Sequence, residues 1–277
     1  MLARHWNKEL RMSRLFDRES GRTVMVALDH GQGGVQPGLA NPDKLLQTII
    51  NAGPDAILLS AGMARTFNHL FAGKGAPALV ISSDFVIAST IPKEDAGMEE
   101  QRQTLSVQEA VRLGADAIKA LLVFGRNDVK LQAWNMAYIA RLAEECDRWN
   151  MPLIVEPTVW GQRITPEKGR DIQLNADMCR IAAELGADMV KTQYVGTPES
   201  FRTVIAGCPV PIAILGGSKQ PPAEVAAMVL DGIEAGACGV VFGRNVWQHQ
   251  EPGRMIAALK HLTYRGDKEQ FLTLAAN

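Results

Sequence analysis

The chain has 277 residues, 47% hydrophobic and 21% charged, and 29 Lys and Arg against 30 Asp and Glu leave a formal net charge of -1. That balance supplies no general field for nucleic acid or an anionic membrane, and no apolar run approaches the roughly 18 residues of a membrane span. The N-terminus MLARHWNKELRMSRLF lacks the apolar stretch of a secretory signal, and Cys146, Cys179, Cys208 and Cys238 form no C-x-x-C pair. These features predict a cytoplasmic protein with one large core and with neither nucleic acid nor membrane as a partner.

Residues 1–20 are polar with mixed charge and read as an N-terminal arm, serving as a lid over one end of the fold or as a subunit contact. From Thr23 a short apolar, β-branched run recurs, each ending at glycine or polar residues and followed by an amphipathic stretch. The runs are TVMVALDHG (23–31), DAILLSAG (55–62), ALVISSD (78–84), ADAIKALLVFG (115–125), PLIVEP (152–157), ADMVKTQYVG (187–196), VPIAILGGS (210–218) and ACGVVFGRN (237–245). Continuous apolar character without alternation suits parallel strands covered on both faces. Helices are expected at 41–52, 102–113, 129–149, 169–185, 198–206, 221–235 and 252–264, with a helical tail at the C-terminus. Eight βα units in about 250 residues predict an α/β fold, a (β/α)8 TIM barrel with a short arm, so that 21–277 form one domain. An open doubly wound sheet is the other arrangement of such units.

Four strand entries resemble one another: Gly53-Pro54-Asp55-Ala56, Gly114-Ala115-Asp116-Ala117, Gly186-Ala187-Asp188-Met189 and Gly236-Ala237-Cys238-Gly239. A glycine there ends a helix at little steric cost. All four precede even-numbered strands, which reads as repeated turn chemistry.

Barrel sites lie at the C-terminal ends of the strands. Polar residues expected there are Asp29 and His30, Ser60, Ser83 and Asp84, Lys119, Glu156, Lys191, the Gly216-Gly217-Ser218 loop and the Gly243-Arg244-Asn245 loop. Lys191 stands inside an apolar strand, where burial favours a neutral amine able to attack a carbonyl; the alternative is a lysine pointing outward to solvent. Lys119 occupies the same register in Leu113–Lys119 as Lys191 does in Leu185–Lys191. If both point inward they are neighbours in one layer, and a nearby cation lowers an amine's pKa; otherwise Lys119 only makes an ion pair. Asp29 and Glu156 are the carboxylates able to move protons near them, or merely to pair with them. Glycine loops after the last two strands, with Arg244 as a clamp, suit a phosphate. Phe124-Gly125-Arg126-Asn127 repeats Phe242-Gly243-Arg244-Asn245, as a second anion loop or as a chance turn. His5, His30, His69, His249 and His261 show no metal-ligand spacing, so no metal is expected. Trp134, Tyr138 and Trp149 read as packing residues.

VMVALDHG, ADMVKTQYVG, GCPVPIAILGGSK and GACGVVFGRNVWQ resemble motifs of the class I aldolases of the DeoC/LacD superfamily. The similarity runs from about Arg11 to about Trp247. It is greatest to the archaeal-type fructose-bisphosphate aldolases and the thiolase of phosphorylated autoinducer-2. The resemblance implies that Lys191 forms a Schiff base, Asp29 assists acid/base steps, and the GGS and GRN loops hold a phosphate. It also implies a homo-oligomer, with decamers known among relatives. Two departures stand out. The fructose-bisphosphate branch has a proton-shuttling tyrosine after the fifth strand, where this chain reads Val155-Glu156-Pro157-Thr158-Val159-Trp160. The thiolase branch lacks counterparts of Lys119 and Glu156.

The expected activity is therefore a metal-independent class I aldolase, a carbon–carbon lyase with catalytic Lys191, Asp29, Glu156 and Lys119. Its phosphorylated ketose or related phosphosugar would be held by His30, Gly216, Gly217, Ser218, Gly243 and Arg244, with no cofactor. The first alternative is a thiolase-like acyl transfer from 3-hydroxy-5-phosphonooxypentane-2,4-dione to coenzyme A as co-substrate. The second is a non-catalytic phosphosugar-binding barrel.

Overall fold

The computed structural model describes residues 6–86 and 101–276. All eight apolar runs form parallel strands: β1 (Thr23–Ala27), β2 (Ala56–Ser60), β3 (Ala78–Ser82), β4 (Ala117–Val123), β5 (Leu153–Thr158), β6 (Met189–Gln193), β7 (Ile212–Leu215) and β8 (Gly239–Phe242). Each pairs with the next in sequence, and β8 pairs with β1, so the sheet closes as a (β/α)8 barrel and not as an open sheet.

Alternation along each strand divides the core in two. Val24, Val26, Ile57, Leu59, Leu79 and Ile81 face outward, in a cluster shared with the surrounding helices. Met25, Leu58, Val80, Ala117, Ile154, Met189 and Val241 form a separate interior cluster. Both faces are apolar, which is why the runs show no polar alternation. The interior parity positions the chemistry. Lys119, Glu156 and Lys191 each stand two residues beyond an interior residue, Ala117, Ile154 and Met189, so their side chains follow the same inward face.

The repeated strand entries form one kind of turn. Gly53, Gly114, Gly186 and Gly236 all adopt positive φ, between 63° and 112°. The aspartates that follow three of them accept backbone N–H groups opening neighbouring strands: Val24 N to Asp55 (2.6 Å), Leu79 N to Asp116 (2.9 Å) and Leu153 N to Asp188 (2.8 Å). Arm residues reach the same turns. The helix Trp6–Ser13 carries Lys8, 2.8 Å from Asp188, and the next residue, Arg14, lies 3.3 Å from Asp116. Leu15 is fully buried in the interior cluster, opposite the mouth.

The helix expected over 102–113 spans only Val107–Arg112, started by Ser106, whose hydroxyl accepts Glu109 N. Its expected first turn is instead a strand, Gln101–Gln103, antiparallel to Asp84–Val86. The reason is the Gln101 side chain, which is buried and donates to Asp84 Oδ2 (2.7 Å) and the Leu121 carbonyl (2.9 Å). An additional helix, Ala61–Phe67, follows β2, with Ser60 as its N-cap. Helices Pro252–Arg265 and Lys268–Ala275 complete the chain. Among the described residues no helix is long and apolar enough to cross a membrane.

Candidate active site

The C-terminal ends of the strands surround a cavity of about 450 Å³, within the range of small-molecule sites. The ten residues expected to act in catalysis or substrate binding all line it: Asp29, His30, Lys119, Glu156, Lys191, Gly216, Gly217, Ser218, Gly243 and Arg244. Ser60, Ser83, Asp84 and Asn245, also expected at the mouth, do not. Ser60 caps a helix, and Ser83 Oγ pairs with Tyr138 Oη (2.9 Å) and the Lys119 carbonyl (3.1 Å). Asp84 Oδ2 accepts Leu121 N at 3.0 Å behind the wall.

At the floor, two lysines and two carboxylates form one buried array. Glu156 Oε2 lies 2.7 Å from Lys119 Nζ and 3.0 Å from Lys191 Nζ, and Lys119 Nζ lies 3.3 Å from Asp29 Oδ2. Lys119, Glu156 and Lys191 are each no more than 5% exposed, and the two carboxylates offset the cost of burying basic groups here. Burial opposes ionisation of Asp29, yet Lys119 and Lys191 outweigh it and hold its carboxyl down to about 2. Glu156 is lowered against the same burial by the same two lysines. For Lys119 burial works against the charge, but Glu156, Asp29 and Asp84 prevail and raise its pKa. This corrects one expectation: the neighbouring cation does not produce a low-pKa amine at Lys119, because the carboxylates dominate its surroundings. Asp84, with burial as its chief influence, is pushed up to about 6.

At the other end, the loops after β7 and β8 are joined through Asn245. Its Nδ2 donates to the Gly216 carbonyl (2.7 Å) and the Ser218 carbonyl (3.3 Å), and its Oδ1 accepts Gln220 N (2.9 Å). Arg244 lines the cavity, and its buried Nε has no hydrogen-bond partner among the described residues. A side chain at Gly243 would press within 2.8 Å of His30 Cε1 and 3.0 Å of the Ala27 carbonyl. His30 itself packs edge-on against Trp247, whose Nε1 donates to Ala27 O at 3.1 Å. Burial lowers the His30 pKa, with Asp29 opposing.

The repeat of this loop at 124–127 is a turn and not a second anion loop. Arg126 is 2% exposed and donates to Asn135 Oδ1 (3.1 Å) and Gln101 Oε1 (2.5 Å), within the Asp84 network. Tyr138 is buried and stacks on Trp134 as a packing residue, whereas Trp149 is 40% exposed. Sequence reasoning missed the fastening role of Asn245 and the wall position of Gln193, which donates to the Gly169 carbonyl at 2.6 Å. Neither carries a spacing signal.

The profile of the DeoC/LacD family aldolases matches residues 23–249. The 2-amino-4,5-dihydroxy-6-oxo-7-(phosphonooxy)heptanoate synthase of Streptomyces griseus is 32% identical over 93% of this chain and 90% of its own length. The 3-hydroxy-5-phosphonooxypentane-2,4-dione thiolase of Klebsiella pneumoniae is 32% identical over 94% of this chain and 82% of its own. Among solved structures, an archaeal fructose-1,6-bisphosphate aldolase with its catalytic lysine bound to the carbinolamine intermediate superposes with a TM-score of 0.77. It is 26% identical and covers 93% of this chain and 99% of its own.

Proposed function

The chain belongs to the DeoC/LacD family of aldolases, and from that premise we propose that it cleaves and forms carbon–carbon bonds in a phosphorylated ketose through a Schiff base on Lys191. The observation that carries the reading is Lys191 in the cavity floor, 3.0 Å from the Glu156 carboxylate. Glu156 takes a proton from the Lys191 ammonium, the freed amine adds to the substrate ketone to give a carbinolamine, and return of that proton to the carbinolamine hydroxyl expels water and leaves a protonated imine. Glu156, again a carboxylate, takes the proton from the β-hydroxyl as the Cα–Cβ bond breaks. That electron pair moves to the imine, giving an enamine and a free aldehyde. Protonation of the enamine carbon and addition of water release the ketone and restore the lysine.

Each neighbour has a role in this scheme. Glu156 Oε2 accepts the proton shed by Lys191 during attack and returns one to the departing hydroxyl. Lys119 remains an ammonium and keeps Glu156 and Asp29 ionised. Asp29, held at about 2 by the lysines against burial, is a fixed anion facing the developing iminium. Arg244 and the two glycine loops hold the phosphate, and His30 lines that end. No metal is required, because the iminium itself accepts the electron pair.

Incubation with a panel of ketose 1-phosphates, measuring aldehyde release, tests the proposal. Wild type should cleave at least one member and Lys191→Arg none; equal cleavage by both sinks it. The alternative acyl transfer is favoured by the Klebsiella thiolase relative and by the absence of tyrosine in residues 155–160. Formation of an acyl thioester from a phosphodiketone and coenzyme A, without ketose cleavage, would select it.

A further inference from the structure

On β5 the inward face continues past Glu156 to Thr158. This threonine is 5% exposed and lines the cavity, and its buried hydroxyl has no hydrogen-bond partner among the described residues. Its carbonyl is satisfied, since Phe124 N donates to it at 2.8 Å. Thr23 and Thr263 also carry buried hydroxyls with no partner among the described residues, but neither lines this cavity. An unpaired hydroxyl facing a ligand cavity is a group waiting for a polar atom of the ligand.

Barrel order fixes which part of the ligand reaches it. The phosphate loops follow β7 and β8, Lys191 stands on β6, and Thr158 stands on β5, next in the ring. A substrate with its phosphate at Arg244 and its ketone at Lys191 therefore extends its far carbons toward β5. In that pose Glu156 would meet the oxygen on the carbon being cleaved, and Thr158, one inward position nearer the mouth, would meet the oxygen on the following carbon.

We propose that Thr158 forms a subsite for the α-hydroxyl of the aldehyde fragment, so that the enzyme selects an α-hydroxyaldehyde over a plain aldehyde. The assignment rests on the reading of Lys191 as the iminium-forming lysine.

The test runs in the condensation direction, with dihydroxyacetone phosphate as donor and two-carbon acceptors differing only in the hydroxyl. Glycolaldehyde and acetaldehyde are compared as a ratio of kcat/KM for wild type, Thr158→Val and Thr158→Ser. Wild type should favour glycolaldehyde, T158V should lower the ratio about tenfold, and T158S should keep it. A loss of packing alone would slow both acceptors alike and leave the ratio unchanged, which overturns the assignment. In parallel, each protein is treated with borohydride and the donor, and the adduct is mapped. An adduct at Lys191 combined with an unchanged ratio, or with condensation of neither aldehyde, removes the Thr158 subsite alone. No adduct at Lys191 in wild type removes the aldolase reading and the subsite with it.

Discussion

Lys119 Nζ lies 2.7 Å from Glu156 Oε2, closer to that oxygen than Lys191 Nζ at 3.0 Å. One carboxylate oxygen thus serves a permanent ammonium and the proposed nucleophile together. Glu156→Gln removes the anion and the proton acceptor while nearly preserving shape. Steady-state kinetics on the best ketose phosphate should show kcat reduced about 100-fold or more, with KM changed little. A variant with near-normal kcat would assign Glu156 to charge balance only.

Removing Lys119 should move the pH profile. Burial opposes ionisation of Asp29 and Glu156, and Lys119 is the largest single influence against it. In Lys119→Met both carboxyls rise in pKa, so they take up protons at higher pH. The acid limb of kcat/KM should then shift upward relative to wild type. An acid limb that stays in place contradicts the electrostatic role given to Lys119.

Two aspartates, Asp29 and Asp84, should give stability opposite slopes in separate pH windows. Asp29 is depressed from 3.8 to about 2, despite burial, by the lysines. It therefore contributes about 2 kcal/mol above pH 4, lost as pH falls from 4 toward 2. Asp84 is raised by burial from 3.8 to about 6. The folded protein keeps that proton while the unfolded chain releases it, so its contribution declines as pH rises from about 4 to 6. Urea unfolding of Asp84→Asn against wild type checks this. The variant should gain relative stability between pH 4.5 and pH 8, and a constant difference would refute the burial argument.

The phosphate end should separate binding from chemistry. Arg244→Ala should raise KM for a phosphorylated ketone about 10- to 100-fold, with little effect on an unphosphorylated analogue. Asn245→Ala, which frees Gly216, Ser218 and Gln220 from their shared fastening, should raise KM in the same direction and lower stability by about 1–3 kcal/mol. Equal effects on phosphorylated and unphosphorylated substrates would place the phosphate elsewhere.

Chelation offers a further check. Exhaustive dialysis against EDTA should leave ketose cleavage intact, because the electron sink is the iminium. Loss of activity restored by a divalent cation would require a metal-assisted mechanism.

The barrel and its mouth were legible because they follow from periodicity and position. Eight double-sided apolar runs need helices on one face and an interior on the other, and the repeated Gly-x-Asp entries mark where strands begin. Once the strands are placed, the rule that barrel sites sit at strand C-termini selects Lys119, Glu156 and Lys191 by parity. The antiparallel pair Asp84–Val86 with Gln101–Gln103 was not legible. Gln-Arg-Gln has no strand pattern, and its pairing depends on Gln101 reaching Asp84 and Leu121. Asn245 was invisible in its actual role for a similar reason. It fastens a loop 29 residues earlier, a distance without any sequence period.

The most direct measurement is covalent trapping. The protein is incubated with dihydroxyacetone phosphate, reduced with borohydride, digested and mapped by mass spectrometry, with Lys191→Arg and Lys119→Met alongside. One adduct is expected, on Lys191, present in Lys119→Met and absent in Lys191→Arg. An adduct on Lys119, or ketose cleavage with no adduct on Lys191, would contradict it.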